Sequence, residues 1–238
     1  MNRLSLSWSA MAALLLAVSA CDRAATEINA PSVPLSLSYA KSVTASKSIH
    51  ENFNTSVKAP SVLEATGTAP SYVKGAVTFD AYNRGYLRTI AGDYNTVSFT
   101  ADVTVTVTSP LHGNGDGITF FGIGDGAPGV FFGEPATNAA VYARLMPSDF
   151  FGPAVELTTS VGGSTTYTRV EGLAGDGTHK VRIKWNAVTS ELTLLIDNAV
   201  VGPVAVPGLF DGTNAHIFFG GAGNATFDDL HVVVSPDK

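Results

Sequence analysis

The sequence predicts an all-β fold, a two-sheet antiparallel sandwich of the jelly-roll type, and three observations support this prediction. Valine and threonine alternate along segments such as residues 98–108 (SFTADVTVTVT), so one side of the strand is apolar and the other polar. The 24 glycines punctuate such segments, as tight turns require. Only 14% of the residues are charged, and nothing in the sequence suggests a long helix. A closed barrel is the structural alternative.

The first twenty residues have the organisation of an export signal. Arg3 gives a positive start, and residues 10–18 form an apolar run that is too short to span a bilayer. The string VSAC, which ends at Cys21, resembles the bacterial lipobox. This resemblance implies that Cys21 becomes the acylated first residue of the mature protein. An ordinary signal peptide followed by an incidental free cysteine is the alternative.

These features divide the chain into a signal peptide over residues 1–20, an acylated cysteine with a flexible tether over 21–48, and one sandwich domain over 49–238. The tether is rich in Ala, Ser, Thr and Pro and has no sustained period. Cys21 is the only cysteine, so the chain cannot form an internal disulfide. We therefore expect a lipoprotein of the bacterial cell envelope, anchored on the extracytoplasmic side of a membrane.

The strands predicted from alternation and turn signals follow one another at short intervals through the domain. A hairpin is the clearest of them: Val181, Ile183 and Trp185 alternate with basic residues, a turn follows at 186–190, and a second alternating strand returns. The predicted strands cover residues 76–79, 86–90, 98–108, 118–123, 139–145, 154–158, 165–170, 179–185, 191–197, 216–219 and 225–234.

Three stretches resemble the concanavalin A-like superfamily, which includes legume lectins and laminin G-like modules. They are GNGDGITFFG at 113–122, GDGTHKVRIKWNAVTSELTLLIDNA at 175–199 and ATFDDLHVVV at 225–234. The resemblance implies that the last stretch is a closing strand, paired with an opening strand around Glu51 to Asn54. The superfamily contains lectins, hydrolases and adhesive modules, so the resemblance indicates a fold more strongly than a function.

The same resemblance implies a sugar site at the rim of the sandwich. Asp116 would accept hydrogen bonds from sugar hydroxyls, since an ionised carboxylate can accept two at once. Gly133 would supply a backbone donor, and Asn114 lies in the same string as Asp116. The alternative is that Asp116 only closes a Gly-Asp-Gly turn through nearby backbone amides.

Adjacent phenylalanines suggest a second route to sugar binding. The pairs at 131–132, 150–151 and 218–219 should each direct one ring outward from a strand. An outward ring can stack on a pyranose, whereas the alternative is a second apolar core beneath a long loop.

The sequence gives little support for a metal site. Legume lectins hold calcium and a transition metal with a Glu and an Asp two residues apart on one strand, but here Arg144 and Met146, or Glu156 and Thr158, stand at such positions. The dinuclear site is therefore not predicted, and neither is any cofactor. The oxygen ligands of Asn114, Asp116 and Asp125 would suit a single calcium ion, but such a cluster is not diagnostic.

Motifs for catalysis and for nucleic-acid binding are equally weak. Glycosidases of the superfamily carry a Glu-x-Asp-x-Glu strand, which this sequence lacks, and the adjacent Asp228 and Asp229 are expected on opposite faces. The histidines have no close pairing typical of zinc, and no nucleophile elbow or phosphate loop occurs. With 14 basic and 20 acidic residues, the chain carries a net charge of −6, which argues against nucleic acid as a partner.

The sequence thus predicts a non-catalytic, membrane-anchored carbohydrate-binding or adhesion module whose partner is a glycan or another extracellular polymer. Two alternatives remain open. One is a structural surface lipoprotein with protein partners only, and the other is a divergent glycoside hydrolase.

Overall fold

A computed structural model describes residues 47–54, 58–73, 75–79, 85–108, 118–126, 130–131, 134–135, 138–146, 153–222 and 225–235. These segments form strands and one 3-10 turn at Tyr94–Thr96. Within them, no helix is long and apolar enough to cross a bilayer. The strands are β1 (Ile49–Glu51), β2 (Leu63–Gly67), β3 (Ser71–Val73), β4 (Ala76–Phe79), β5 (Gly85–Thr89), β6 (Phe99–Val107), β7 (Ile118–Gly124), β8 (Val130–Phe131), β9 (Glu134–Pro135), β10 (Ala139–Met146), β11 (Ala154–Val161), β12 (Ser164–Glu171), β13 (Gly177–Asn186), β14 (Glu191–Ile196), β15 (Ala199–Ala205), β16 (His216–Ala222) and β17 (Ala225–Val234).

Two antiparallel sheets pack face to face. The eight-stranded sheet has the order β15-β14-β13-β6-β17-β4-β3, with β1 also paired to β17. The seven-stranded sheet has the order β12-β11-β10-β7-β16-β5-β2, and β8 and β9 form a small separate hairpin. The predicted sandwich is confirmed, and the alternative of a closed barrel is wrong, because both sheets end in edge strands.

The core fills the space between the sheets. On β6, residues Phe99, Ala101, Val103, Val105 and Val107 are buried and the polar residues between them face outward, as alternation predicts. The hairpin of β13 and β14 follows the same rule. Its buried residues are Val181, Ile183, Trp185, Leu192, Leu194 and Ile196.

The two ends of the domain meet on the eight-stranded sheet, as predicted. β1 pairs with β17 through Ile49 opposite Val232. The strand lies a few residues earlier than expected because Phe53 adopts a φ of 56° and its N–H donates to the Glu51 carboxylate at 2.8 Å, which turns the chain.

The entering and leaving chain segments lie beside the start of β6, at what we call the terminal end of the sandwich. The N–H of Val234 donates to the Ser48 hydroxyl at 3.2 Å, and the Tyr94 hydroxyl donates to the carbonyl of Lys47 at 2.7 Å. The N–H of Ser235 donates to the carbonyl of Ser98 at 2.8 Å.

The Phe-Asp-Asp-Leu segment departs from alternation. The register of β17 against β6 shifts between Asp228 and His231, and Asp229 has a φ of 54°. This β-bulge puts both Asp228 and Asp229 on the exposed side, while Phe227 and Leu230 are buried. The prediction that the two aspartates lie on opposite faces is therefore wrong.

His179 and Asp197, in the second of the three stretches that resemble the superfamily, have a structural role. The His179 ring nitrogens lie 2.7 Å from the Asp197 carboxylate and 2.8 Å from the carbonyl oxygen of Gly175, and the N–H of Lys180 donates to the same carboxylate at 2.8 Å. Burial opposes ionisation of Asp197, but the bonds from His179 and Lys180 outweigh it and lower the pKa of this group. The motif thus joins the turn before β13 to the turn after β14.

The middle of the seven-stranded sheet is also buried on its outer face, the face turned away from the other sheet. Tyr86, Phe120, Tyr142 and Phe218 form an apolar cluster there with Ala140. The Phe218 ring centroid lies 6.3, 5.9 and 5.7 Å from those of Tyr86, Phe120 and Tyr142. For the 218–219 pair, the outward ring therefore belongs to a second core, as the alternative interpretation had it. The other two pairs lie in segments whose side chains the structure does not describe.

Two glycines make this second core possible. A methyl group on Gly122 would lie 2.2 Å from Cβ of Tyr142, and one on Gly220 would lie 2.5 Å from the carbonyl oxygen of Gly85 and 2.7 Å from Cβ of Tyr86. Both glycines therefore let neighbouring aromatic residues approach the sheet closely.

Replacing Gly122 by alanine should lower the free energy of unfolding by about 1–3 kcal/mol, because the added methyl overpacks a site that cannot expand without moving β10. Urea denaturation would measure the change. Thr104→Ala, on the outward side of β6, is the matched control and should change stability by less than about 0.5 kcal/mol. Equal stability of Gly122→Ala and the parent protein would contradict this description of the second core.

Candidate functional site

Six connections begin and end at one end of the sandwich, which we call the rim. The strand ends that flank them are in register: Ile118 pairs with Ala222, and Met146 pairs with Ala154. The connections cover residues 68–70, 80–84, 108–117, 147–153, 172–176 and 223–224. The terminal end is the opposite one, because β6 starts there at Phe99 and finishes at the rim with Val107.

The sugar-site residues predicted from sequence all lie outside the described residues. Asn114 and Asp116 belong to the β6–β7 connection, and Gly133 lies between β8 and β9. Cys21 is also outside the described part. Their roles stay predictions, but the strands that flank the segment of Asn114 and Asp116 place its two attachment points at the rim.

The long connection between β7 and β10 is closed at its base by Asp125. The Asp125 carboxylate accepts hydrogen bonds from the N–H groups of Asn138 and Ala139, both at 3.1 Å. The carbonyl of Gly126 then accepts from the Tyr86 hydroxyl at 3.2 Å and from Arg88 at 2.6 Å. These bonds bring the start of the connection over the outer face, and β9, within the same connection, contacts β5 and β16.

Arg88 and His216 anchor this corner of the sheet. Arg88 also donates to the Glu64 carboxylate at 2.6 Å, and the Nδ1 of His216 lies 2.6 Å from the carbonyl oxygen of Thr89. Burial lowers the pKa of His216, and the nearby charge of Arg88 lowers it further against the opposing effect of the Thr89 bond. His216 is therefore favoured in its neutral form.

An ionic network occupies the outer face of β10, β11 and β12. Glu156 is only 4% exposed and accepts from Arg144 at 2.8 Å and from Arg169 at 3.2 Å. Arg169 also binds the Glu171 carboxylate through two nitrogens, at 2.5 and 3.3 Å, and this bonding lowers the pKa of Glu171. A buried carboxylate requires such partners, and two guanidinium groups supply them here.

The resemblance would place metal ligands at the positions of Arg144 and Glu156, and in this chain both residues belong to the ionic network. Arg144 brings a cation to the strand, and its partner Glu156 comes from the neighbouring strand. Within the described segments, no three His, Cys, Asp or Glu side chains come together in a way that suits a metal ion. Asp125, one of the residues considered for calcium, is described, and its carboxylate binds backbone N–H groups.

Sequence reasoning missed Arg88, Arg169 and His216. The available signal for Arg169 was its alternation with Tyr167 on the predicted strand 165–170, which puts the two on one face. Their pairing with Glu156 depends on the register of β11 and β12, which alternation within a single strand does not determine.

No protein-family model and no curated protein sequence matches the chain. Solved structures do resemble it. The carbohydrate recognition domain of Emp47p superposes with a TM-score of 0.60 at 15% identity, covering 79% of this chain and 95% of that one. Winged bean acidic lectin complexed with methyl-α-D-galactose gives 0.56 at 16% identity, covering 81% and 100%. The exoplasmic/lumenal domain of VIP36, in a form bound to Ca²⁺ and mannose, gives 0.56 at 14% identity, covering 80% and 91%.

These neighbours share an architecture with the chain over most of their length. At 14–16% identity the likeness concerns the fold. It confirms the predicted resemblance to the concanavalin A-like jelly rolls, since the matching structures are legume-type lectin domains.

The lowered pKa of His216 predicts a dependence of stability on pH. Below the ordinary histidine pKa of about 6.5, the unfolded chain binds a proton that the folded His216 resists, so the free energy of unfolding should fall as the pH drops through this value. Above it, this residue should contribute no slope. Urea denaturation at a series of pH values between 5 and 8 would measure the effect, and His216→Asn should flatten the curve. The same slope in both proteins would show that another group is responsible.

Proposed function

Because the chain has the fold of the legume-type lectins, we propose that it is a carbohydrate-binding module whose site lies at the rim. Asp116 is the principal acceptor for sugar hydroxyls, with Asn114 beside it. Gly133 does not belong to this proposed site, because the strands that flank its connection end at Gly124 and begin at Ala139, at the end opposite the rim. The observation that carries the proposal is the GNGDGITFFG string, which leads into β7 at the rim of a lectin-type sandwich.

The neighbours support a glycan as the ligand class. Winged bean acidic lectin is recorded with a methyl galactoside, VIP36 with mannose, and Emp47p through its carbohydrate recognition domain. Galactosides and mannosides are therefore the first ligands to test on this chain.

We further propose that the domain acts by binding and not by catalysis. Hydrolysis of a glycosidic bond needs two carboxyl groups that face each other across the substrate. On the outer face of the seven-stranded sheet, the described glutamates Glu64, Glu156 and Glu171 are each held in ion pairs with arginine. These ion pairs hold the carboxylates in place, which supports a surface that binds a ligand without reacting with it.

The anchor is the last part of the proposal. Acylation of Cys21 would hold the protein in the bacterial envelope, on the extracytoplasmic side of a membrane. The described chain begins with Lys47 at the terminal end, since the Tyr94 hydroxyl donates to its carbonyl. The described sandwich therefore begins at the end opposite the rim.

Asp116→Ala should abolish glycan binding while leaving stability unchanged. The test is a glycan array, with galactosides and mannosides included, on the exported chain carrying Cys21→Ser. Asp211→Ala removes an exposed carboxylate from a turn far along the chain and serves as the control. Absence of binding to any glycan by the unsubstituted chain would overturn the proposal, and release of shortened oligosaccharides would point to a hydrolase.

Cys21→Ser should move the protein from the membrane fraction to the soluble envelope fraction, because the thioether that carries the acyl chains cannot form. Fractionation combined with incorporation of labelled palmitate would measure both effects. Equal membrane association of the two proteins would rule out Cys21 as the anchor.

A further inference from the structure

An exposed stripe of side chains runs along β12, the edge strand of the seven-stranded sheet. Tyr167, Arg169 and Glu171 alternate along the strand and share the outer face, because they lie opposite Thr158, Glu156 and Ala154 in register. Tyr167 is 59% exposed, and the side chain of Glu171 is 67% exposed. Most other aromatic rings on this face are buried in the second core, so the exposure of Tyr167 needs a separate reason.

The polar members of the stripe are held in fixed positions. Arg169 donates to Glu156 and Glu171 and lies 3.4 Å from the sulfur of Met146, so its guanidinium plane is held on three sides. Glu171 stays ionised because Arg169 lowers its pKa. The stripe therefore presents a rigid donor and a solvent-exposed acceptor side by side, with an aromatic ring next to them.

This combination matches the chemistry of a neutral sugar. A pyranose hydroxyl can accept a hydrogen bond from the guanidinium of Arg169, and the neighbouring hydroxyl can donate one to the carboxylate of Glu171. The apolar face of the sugar can cover the ring of Tyr167. Two arginines and two glutamates cancel in charge within the network, so no excess of positive charge favours an anion. The net charge of −6 on the whole chain would repel a polyanion at long range.

The position of the stripe decides what kind of glycan it fits. Glu171 lies in the row of Ala154 and Met146, at the rim, and Tyr167 lies four residues along β12 from it. At about 3.3 Å per residue, this separation is about 13 Å. A single sugar bound at the rim would not reach the Tyr167 ring, but a chain of sugars would.

We propose that Tyr167, Arg169 and Glu171 form a second subsite, which binds a neutral pyranose within a polysaccharide chain whose other residues occupy the rim. The inference rests on the proposed carbohydrate-binding function and deepens it. The ligand is a polysaccharide chain, and a terminal monosaccharide alone fills only part of the site.

Affinity electrophoresis of the exported chain carrying Cys21→Ser tests the subsite. The gels contain galactomannan, dextran or xyloglucan as neutral polymers, or polygalacturonate as an anionic one, and methyl galactoside and methyl mannoside serve as soluble competitors. We expect retardation by at least one neutral polymer and none by polygalacturonate, with affinity for the polymer at least about tenfold above that for the monosaccharides.

Three substitutions test whether Tyr167 and Arg169 account for the binding of the polymer. Tyr167→Ala should weaken polymer binding about tenfold and leave monosaccharide binding unchanged, and Tyr167→Phe should retain polymer binding because the ring remains. Arg169→Gln should also weaken polymer binding. Arg182→Gln is the matched control, since Arg182 forms the equivalent kind of pair with Asp102 on the outward side of the other sheet.

The results distinguish a failure of the second subsite from a failure of the proposed carbohydrate-binding function. If glycans bind and Asp116→Ala abolishes binding, but Tyr167→Ala and Arg169→Gln bind as the unsubstituted chain does, the second subsite is wrong and the proposed function stands. Equal retardation by polygalacturonate overturns the assignment to neutral sugars. Absence of binding to every polymer and monosaccharide overturns both.

Discussion

The two central strands of the seven-stranded sheet, β7 and β16, are buried on both faces, and much of the remaining architecture follows from this constraint. Phe121 and Phe219 fill the space between the sheets, so their neighbours Phe120 and Phe218 must be covered on the outer side. The closely approaching tyrosines and the carbonyl of Gly126 contribute to that cover. Charged and exposed side chains on this face consequently lie toward the edge strands β2 and β12, where Glu64 and Glu171 are found.

Alternation along single strands was sufficient to predict the long central strands. β6, β10 and β17 match their expected bounds to within a residue, because one or both of their faces are buried and burial selects the residue type. The short edge strands β2 and β3 escaped prediction, since their side chains are mostly exposed or half-buried. The Phe-Asp-Asp-Leu segment shows the limit of the rule: a bulge adds a residue that alternation within the strand does not anticipate.

The site was less predictable than the fold because it depends on contacts between strands. The sequence indicates Asp116 through a local motif, which needs no knowledge of the register. Glu156, by contrast, becomes significant only when β11 is placed between β10 and β12, so that Arg144 and Arg169 bind its carboxylate from both sides. The resemblance led us to look for carboxylate metal ligands on β10, where the chain carries Arg144. The ionic network to which Arg144 belongs was therefore not predicted.

The antiparallel topology also separates the terminal end of the domain from its proposed binding end. β6 runs nine residues from the terminal end to the rim, about 30 Å at about 3.3 Å per residue. Lys47 and Ser235 both lie at the terminal end, so this length separates them from the rim. A glycan chain lying along β12 would follow this same axis, because Glu171 ends that strand at the rim, and the edge position of β12 would leave the chain accessible along its length.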